Sequence, residues 1–303
     1  MSNTNWNELV QELKNAAPNL EIRTQEPMSR HTSFRVGGPA AVMALPRTEE
    51  EAVAAVKTAA KLGITPFFLG NGSNLLVPDE GVERYLIKLT PGLKECQVQG
   101  DQITADSGVT LARLAGFAKE NGLSGLEFAH GIPGTLGGAV TMNAGAYGGE
   151  MAQIVTGVIC LNQEGEVEEV TEFDFGYRHS AFSDGSRLIL RVTMQLHPDA
   201  PETIAARMEE LARQRQSKQP LEYPSAGSMF KRPAGHFAAA LIDRCGLKGF
   251  TVGGAQVSEK HAGFVINRGE ATCKDILELV EQVKKRVYDS TGVELEMEVR
   301  VLR

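Results

Sequence analysis

Residues 5–16 repeat apolar side chains at helical spacing, which predicts a short amphipathic helix serving as a lid or brace before Pro18 and Pro27 break the chain. After HTSFRVGGPA, the run AAVMALP reads as a strand, and Thr48 with Glu51 reads as a capping box on a helix ending near Gly63. ITPFFLG then forms a strand leading into the loop LGNGSNLLV at 69–77. From Leu86 short strands follow, with a hairpin turn at 100–101 and a helix over 110–121 stopped by Gly122. Further strands are expected at 153–160, 166–171 and 187–196, the last alternating too weakly to lie at an edge along its length.

Pro198 and Pro201 mark a boundary, beyond which come a charged helix at 202–217, the loop LEYPSAGSMFKRP, a helix in HFAAALIDRCG and a long amphipathic helix near 272–289. The chain then ends in an expected strand, GVELEMEVRVL. There Val293, Leu295, Met297, Val299 and Val301 share one face, and Glu294, Glu296, Glu298 and Arg300 the other. The order of elements predicts an α+β protein. Its expected divisions are a helix and brace at 1–29, lobes at 30–90 and 91–198, and a final lobe at 199–303.

Composition narrows the picture. At 303 residues and 42% hydrophobic content, two or three lobes with a ligand cleft are expected. A net charge of −7, with no compact run of Lys and Arg, argues against a nucleic-acid surface, although a few local arginines would be enough for an anionic substrate. Cys96, Cys160, Cys245 and Cys273 form no C-x-x-C pair, and no histidines lie at i, i+4, so neither zinc, another metal nor a disulfide framework is expected. The amino terminus lacks a signal-peptide pattern, and no run of about eighteen apolar residues occurs. A soluble, cytoplasmic protein without membrane insertion is the expectation.

Residues 131–149, GIPGTLGGAVTMNAGAYGG, contain seven glycines. Such density suits a cofactor cradle, because bare backbone lets a ligand approach N–H groups closely. The candidates there are Gly131, Ile132, Pro133, Gly134, Gly137, Gly138, Asn143, Ala144 and Gly145; in the earlier loop they are Gly70, Asn71, Gly72, Ser73 and Asn74. Neither stretch is a P-loop or a Rossmann fingerprint, and ordinary turns also fit them.

Arg178, beside Tyr177 in FGYRHSAFSDG, suits a bidentate carboxylate clamp or a surface turn. Ser228 in SAGSMFKRP suits a pocket-facing hydroxyl or a bulge; without a G-x-S-x-G elbow it is a better proton donor or anchor than nucleophile. Glu298 lies on what would ordinarily be a solvated face. Arg213, Arg215 and Lys218 could meet a diphosphate or balance a helix C-terminus, and Lys231 with Arg232 reads as solvated.

Six ordered segments together, TSFRVGG, LGNGSNLLV, GIPGTLGGAVTMNAGAYGGE, YRHSAF, AGSMFKRP and LEMEVR, resemble the flavin-dependent UDP-N-acetylenolpyruvoylglucosamine reductases of bacterial peptidoglycan synthesis. The resemblance implies three α+β lobes, two holding FAD in the manner of vanillyl-alcohol-oxidase-type flavoproteins and one binding the nucleotide sugar. It implies NADPH-dependent reduction of UDP-N-acetylglucosamine enolpyruvate to UDP-N-acetylmuramate. Arg178, Ser228 and Glu298 fall on the family's catalytic positions, and Lys218, in K-x-P, on a substrate-binding one; Arg215 and Tyr177 join it as candidates. Arg178 would pair with the substrate carboxylate, Glu298 would hydrogen-bond the developing enolate, and Ser228 would supply the proton. YRHSAF runs directly into SDGSRLILRV, as in the shorter subtype without a tyrosine-bearing insertion, and Met297 replaces the proline of the family's E-P-E-V-R. Two rival readings are an FAD-dependent sugar or alcohol oxidase of the same fold and a non-catalytic nucleotide-sugar binding module. Steady NADPH consumption dependent on the enolpyruvyl sugar would discriminate against the first, and a colourless purified protein would favour the second.

Overall fold

The computed structural model describes residues 4–89 and 92–303. They divide into two units, one comprising residues up to Thr24, Ala41–Asn71 and Arg84–Arg213, the other Gln25–Ala40, Gly72–Glu83 and Gln214–Arg303.

The first unit opens with helix α1, Trp6–Ala16, whose Asn5 cap accepts the Glu8 N–H at 3.3 Å. Leu9 and Leu13 are fully buried against Ala52, Ala55, Val56 and Ala59 of helix α2, Glu49–Lys61. The opening segment is therefore a brace on α2. Thr48 caps α2 as expected, accepting the Glu51 N–H, but the Glu51 carboxylate reaches past Thr48 to the Arg47 N–H at 2.7 Å. A four-stranded sheet follows the order Glu21–Pro27, Pro39–Leu45, Val82–Lys88, Phe67–Leu69, the last two parallel. The strand expected from 64 begins only at Phe67. The Ile64 N–H is taken by Ala59 O, and Pro66 has none to donate.

A second, antiparallel sheet runs Val167–Val170, Val155–Leu161, Leu188–Gln195, Gln102–Asp106, Cys96–Gln99. Leu188–Gln195 lies at its centre and not at an edge; Leu188, Ile189 and Leu190 are all buried, and from there burial alternates through Val192 and Met194. Gly100, at φ 58°, makes the hairpin turn. Helices α3, Leu111–Glu120, and α4, Leu136–Thr141, share the core with Ile103, Val158, Val192 and Met194. Helix α5, Pro201–Lys218, buries Ile204 and Met208 there, and its Arg207 pairs with Glu127 at 2.9 Å and Asp199 at 2.5 Å.

In the second unit, helices α6, Ala238–Arg244, and α7, Cys273–Thr291, enclose a core with the antiparallel strands Thr251–Val252, Ala255–Val257 and Val265–Asn267. Thr272 and Asp275 form a full capping box, and the Asp79 carboxylate accepts the next two free N–H groups, Cys273 at 2.7 Å and Lys274 at 3.1 Å. The expected last strand is fragmentary. Only Arg300–Val301 forms a ladder, parallel to Leu75–Leu76, whereas Met297 bridges Phe230. The segment changes partners midway, from residues near 230 to residues near 75, so no single neighbour extends it.

Candidate active site

The two glycine stretches meet in the first unit. A Cβ on Gly70 would lie 2.6 Å from the hydroxyl of Thr135, itself buried, so only glycine allows this approach. Gly137 is likewise pressed against Ser107, and Gly145 against Gly149 and Glu150. Protein atoms, rather than open space, thus account for these three glycines. Gly131, Pro133 and Gly138 are exposed, while Ile132, Gly134 and Ala144 are half-buried.

Asn143 holds the second stretch to the loop carrying Arg178. It adopts φ 41°, is buried, donates to Gly176 O at 3.0 Å and accepts the Ala152 N–H at 2.9 Å. Ser180 and Ser183 both donate to Thr141 O, at 2.9 and 3.0 Å. The half-buried Arg178 reaches Gly145 O at 3.5 Å, and its guanidinium stands 5.2 Å from the ring of the exposed Tyr177. The 177–182 segment is therefore docked on the glycine stretch instead of standing free as a surface turn.

In the second unit, Ser228 and Glu298 lie on segments that pair with each other. Ser228 bridges Phe264, Phe230 bridges Met297, and the Glu298 N–H donates to Met229 O at 2.9 Å. Ser228 is exposed and Glu298 half-buried. Asn74 joins them: its amide donates to Glu298 O at 3.2 Å, and its carbonyl accepts the Arg300 N–H at 3.1 Å. Behind Ser228, His261 meets the Phe264 ring edge-on at 4.9 Å, and burial lowers its pKa, which favours the neutral imidazole.

Lys218 and Arg215 lie at the end of α5, Lys218 exposed and Arg215 half-buried. There Lys260 donates to Gln216 O at 2.7 Å, a contact forty-four residues distant that local pattern cannot reveal. Gly72, at φ 60°, packs against the carbonyl of His31: a Cβ would come within 2.1 Å of that oxygen. Ser73 is half-buried, as is Asn71 in the first unit. Among the described residues, two buried side-chain atoms have no protein hydrogen-bond partner, Ser33 Oγ and Gln219 Oε1. Ser33 is next to the Gly72 loop, whose Gly72 O accepts the Ser33 N–H, and Gln219 follows Lys218 in the chain. Ser33 sits inside TSFRVGG, but nothing in the sequence shows that its hydroxyl lacks a partner. No group of three or more His, Cys, Asp or Glu among the described residues could hold a metal ion.

Residues 39–171 match the family model for an FAD-binding domain. The fold and the paired glycine loops accordingly define a protein built on that domain, of α+β class. Residues 219–302 match the model for the C-terminal domain of UDP-N-acetylenolpyruvoylglucosamine reductase. A reductase of that name from Syntrophomonas wolfei is 46% identical over 97% of this chain and 99% of its own. One from Clostridium kluyveri is 49% identical over 93% of each chain. The crystal structure of the Thermus caldophilus enzyme superposes with a TM-score of 0.82 at 38% identity, covering 94% of this chain and all of that one. The chain belongs to the UDP-N-acetylenolpyruvoylglucosamine reductase family.

Proposed function

We propose that this chain reduces the enolpyruvyl ether of UDP-N-acetylglucosamine to the lactyl ether of UDP-N-acetylmuramate, with FAD as cofactor and NADPH as reductant, in peptidoglycan precursor synthesis. Residues 30–198 hold the cofactor and residues 199–303 the nucleotide sugar, with Lys218, Arg215 and Tyr177 as substrate contacts. The loops at 70–74 and 131–145 hold FAD, which when bound supplies the two-electron chemistry between NADPH and the enolpyruvyl methylene. Arg178 pairs with the substrate carboxylate, orienting it and stabilising the charge that develops on the adjoining carbon. Glu298 supports the developing enolate oxygen through its carboxyl group. Ser228 Oγ–H delivers the proton to the carbon bearing the carboxylate, and solvent restores it. No described helix is long and apolar enough to cross a membrane. NADPH use and four free thiols suit a reducing, cytoplasmic setting.

The observation that most supports these roles is the pairing of the Ser228 and Glu298 segments at the Asn74 end of a glycine loop. The two half-reactions provide the test. In Ser228→Ala, flavin reduction by NADPH should remain near normal, and reoxidation by the enolpyruvyl sugar should slow by about 10²–10⁴. Wild-type product made in heavy water should carry deuterium at the lactyl carbon bearing the carboxylate. Equal slowing of both half-reactions, or untouched reoxidation, removes Ser228 as the acid.

A further inference from the structure

Arg178 stands at the tip of a hairpin whose two legs are tied down separately. The Gly176 N–H donates to His179 O at 3.1 Å and the His179 N–H to Gly176 O at 3.2 Å, which makes Tyr177 and Arg178 the two turn residues. The second of them has φ 55°, a conformation that turns usually reserve for glycine or asparagine. The entering leg is held by Asn143, whose amide also donates to Gly176 O. The leaving leg is held by Ser180, which is 1% exposed. Its hydroxyl donates to Thr141 O at 2.9 Å and accepts the Phe182 N–H at 3.2 Å, while its own N–H goes to Ser183 Oγ at 2.9 Å. Thr141 ends helix α4, where carbonyls lack an intrahelical partner. The amides of Met142, Asn143 and Ala144 turn back to Gly138, Val140 and Ala139, and the Thr141 carbonyl receives the hydroxyls of Ser180 and Ser183 instead. A buried bond from Ser180 thus joins the chain just past Arg178 to the glycine stretch.

We infer that Ser180 is a positioning residue for Arg178: its buried hydroxyl fixes the leaving leg of the hairpin on Thr141 and so keeps the guanidinium aimed at the substrate carboxylate. This rests on the reading of Arg178 as the carboxylate clamp. A two-donor pair needs the guanidinium plane set in advance, and a strained tip with one leg loose relaxes to ordinary backbone and turns the side chain away. Holding the tip beforehand spares binding the cost of ordering it. Because Ser180 acts through Arg178, its removal should be felt by a ligand that carries the carboxylate and not by one that lacks it.

The experiment measures binding to the full, FAD-loaded chain by calorimetry, with two ligands that differ only in the lactyl group: UDP-N-acetylmuramate, which carries the carboxylate, and UDP-N-acetylglucosamine, which does not. Ser180→Ala should bind UDP-N-acetylmuramate about tenfold more weakly, ~1.4 kcal/mol, and UDP-N-acetylglucosamine within about twofold of wild type. In an Arg178→Ala background the same substitution should weaken UDP-N-acetylmuramate by less than about twofold, because the group it positions is gone. Equal losses for the two ligands, unchanged affinity for UDP-N-acetylmuramate, or an undiminished loss in the absence of Arg178 each overturn the assignment. Should Ser180→Ala fail to fold, Ser183→Ala replaces it, since Ser183 holds the same carbonyl and the Ser180 N–H, and the same outcomes decide. If Arg178→Ala alone binds UDP-N-acetylmuramate as tightly as wild type, the role given to Arg178 falls first, and the assignment with it.

Discussion

Arg178 takes a left-handed backbone, φ 55°, inside a loop anchored by Asn143, Ser180 and Ser183. A non-glycine residue in that region is strained, and such strain collects where a side chain must be aimed. Arg178→Lys keeps the charge but loses the planar two-donor fork, so turnover should fall by about 10²–10³ in steady-state assays. Near-normal turnover would return Arg178 to a structural role. Asn143 shows what a sequence conceals at this scale. The run between its neighbouring glycines marks it as a cofactor candidate, yet its amide bonds Gly176, thirty-three residues away, and no local pattern encodes that partner. Asn143→Ala removes both side-chain bonds and an αL-tolerant residue, and should lower thermal stability by about 2–4 kcal/mol while loosening the 177–182 segment. A melting curve matching wild type would count against that.

Helix α7 concentrates the argument at the level of elements. Its apolar face is written locally, as are the Thr48 cap of α2, the Gly100 hairpin and the Gly122 stop after α3, so these elements are legible without a structure. Asp79, which caps α7 from nearly two hundred residues upstream, is not. Nor is the fragmentation of the last strand, whose partners come from two remote segments. Asp79→Ala should destabilise the second unit by about 1–2 kcal/mol, read as a lower urea midpoint. Asp275 adds a pH dependence. The Thr272 backbone N–H above all, with the Gly254 N–H and Thr272 hydroxyl, holds its carboxyl below the usual range, against the opposing effect of burial. Its folded pKa is thus lower than its unfolded one. The contribution is complete above about pH 4 and lost as pH falls through the folded value. Amide exchange in the first turn of α7, corrected for intrinsic rate, should therefore rise on acidification, and Asp275→Asn should flatten that response.

Among the described residues, three hydrophobic clusters carry the fold, two in the first unit and one in the second. The α+β class was readable from the alternation of strand and helix patterns. The discontinuous units were not, because the chain passes between them several times and a linear reading sees only contiguous blocks. Neither glycine stretch contains a Cys or His that could tether the cofactor covalently. Acid precipitation should release FAD into the supernatant, and free FAD at about one hundred times its dissociation constant should stabilise the stripped protein by ~2.7 kcal/mol. Flavin that stays with the precipitate would contradict this.

The ladder between Leu75–Leu76 and Arg300–Val301 also has a meaning in time. At about 5–20 residues per second, the ribosome releases the second partner on the order of ten seconds or more after the first. Until then the 72–77 loop has neither its strand neighbour nor the Glu298 carbonyl that receives Asn74. On the proposed reading of residues 70–74 as a cofactor loop, a nascent chain lacks part of that loop's support until the last strand emerges. A chain truncated before Arg300 is therefore expected to retain less FAD than the full chain, read as flavin absorbance of the purified protein.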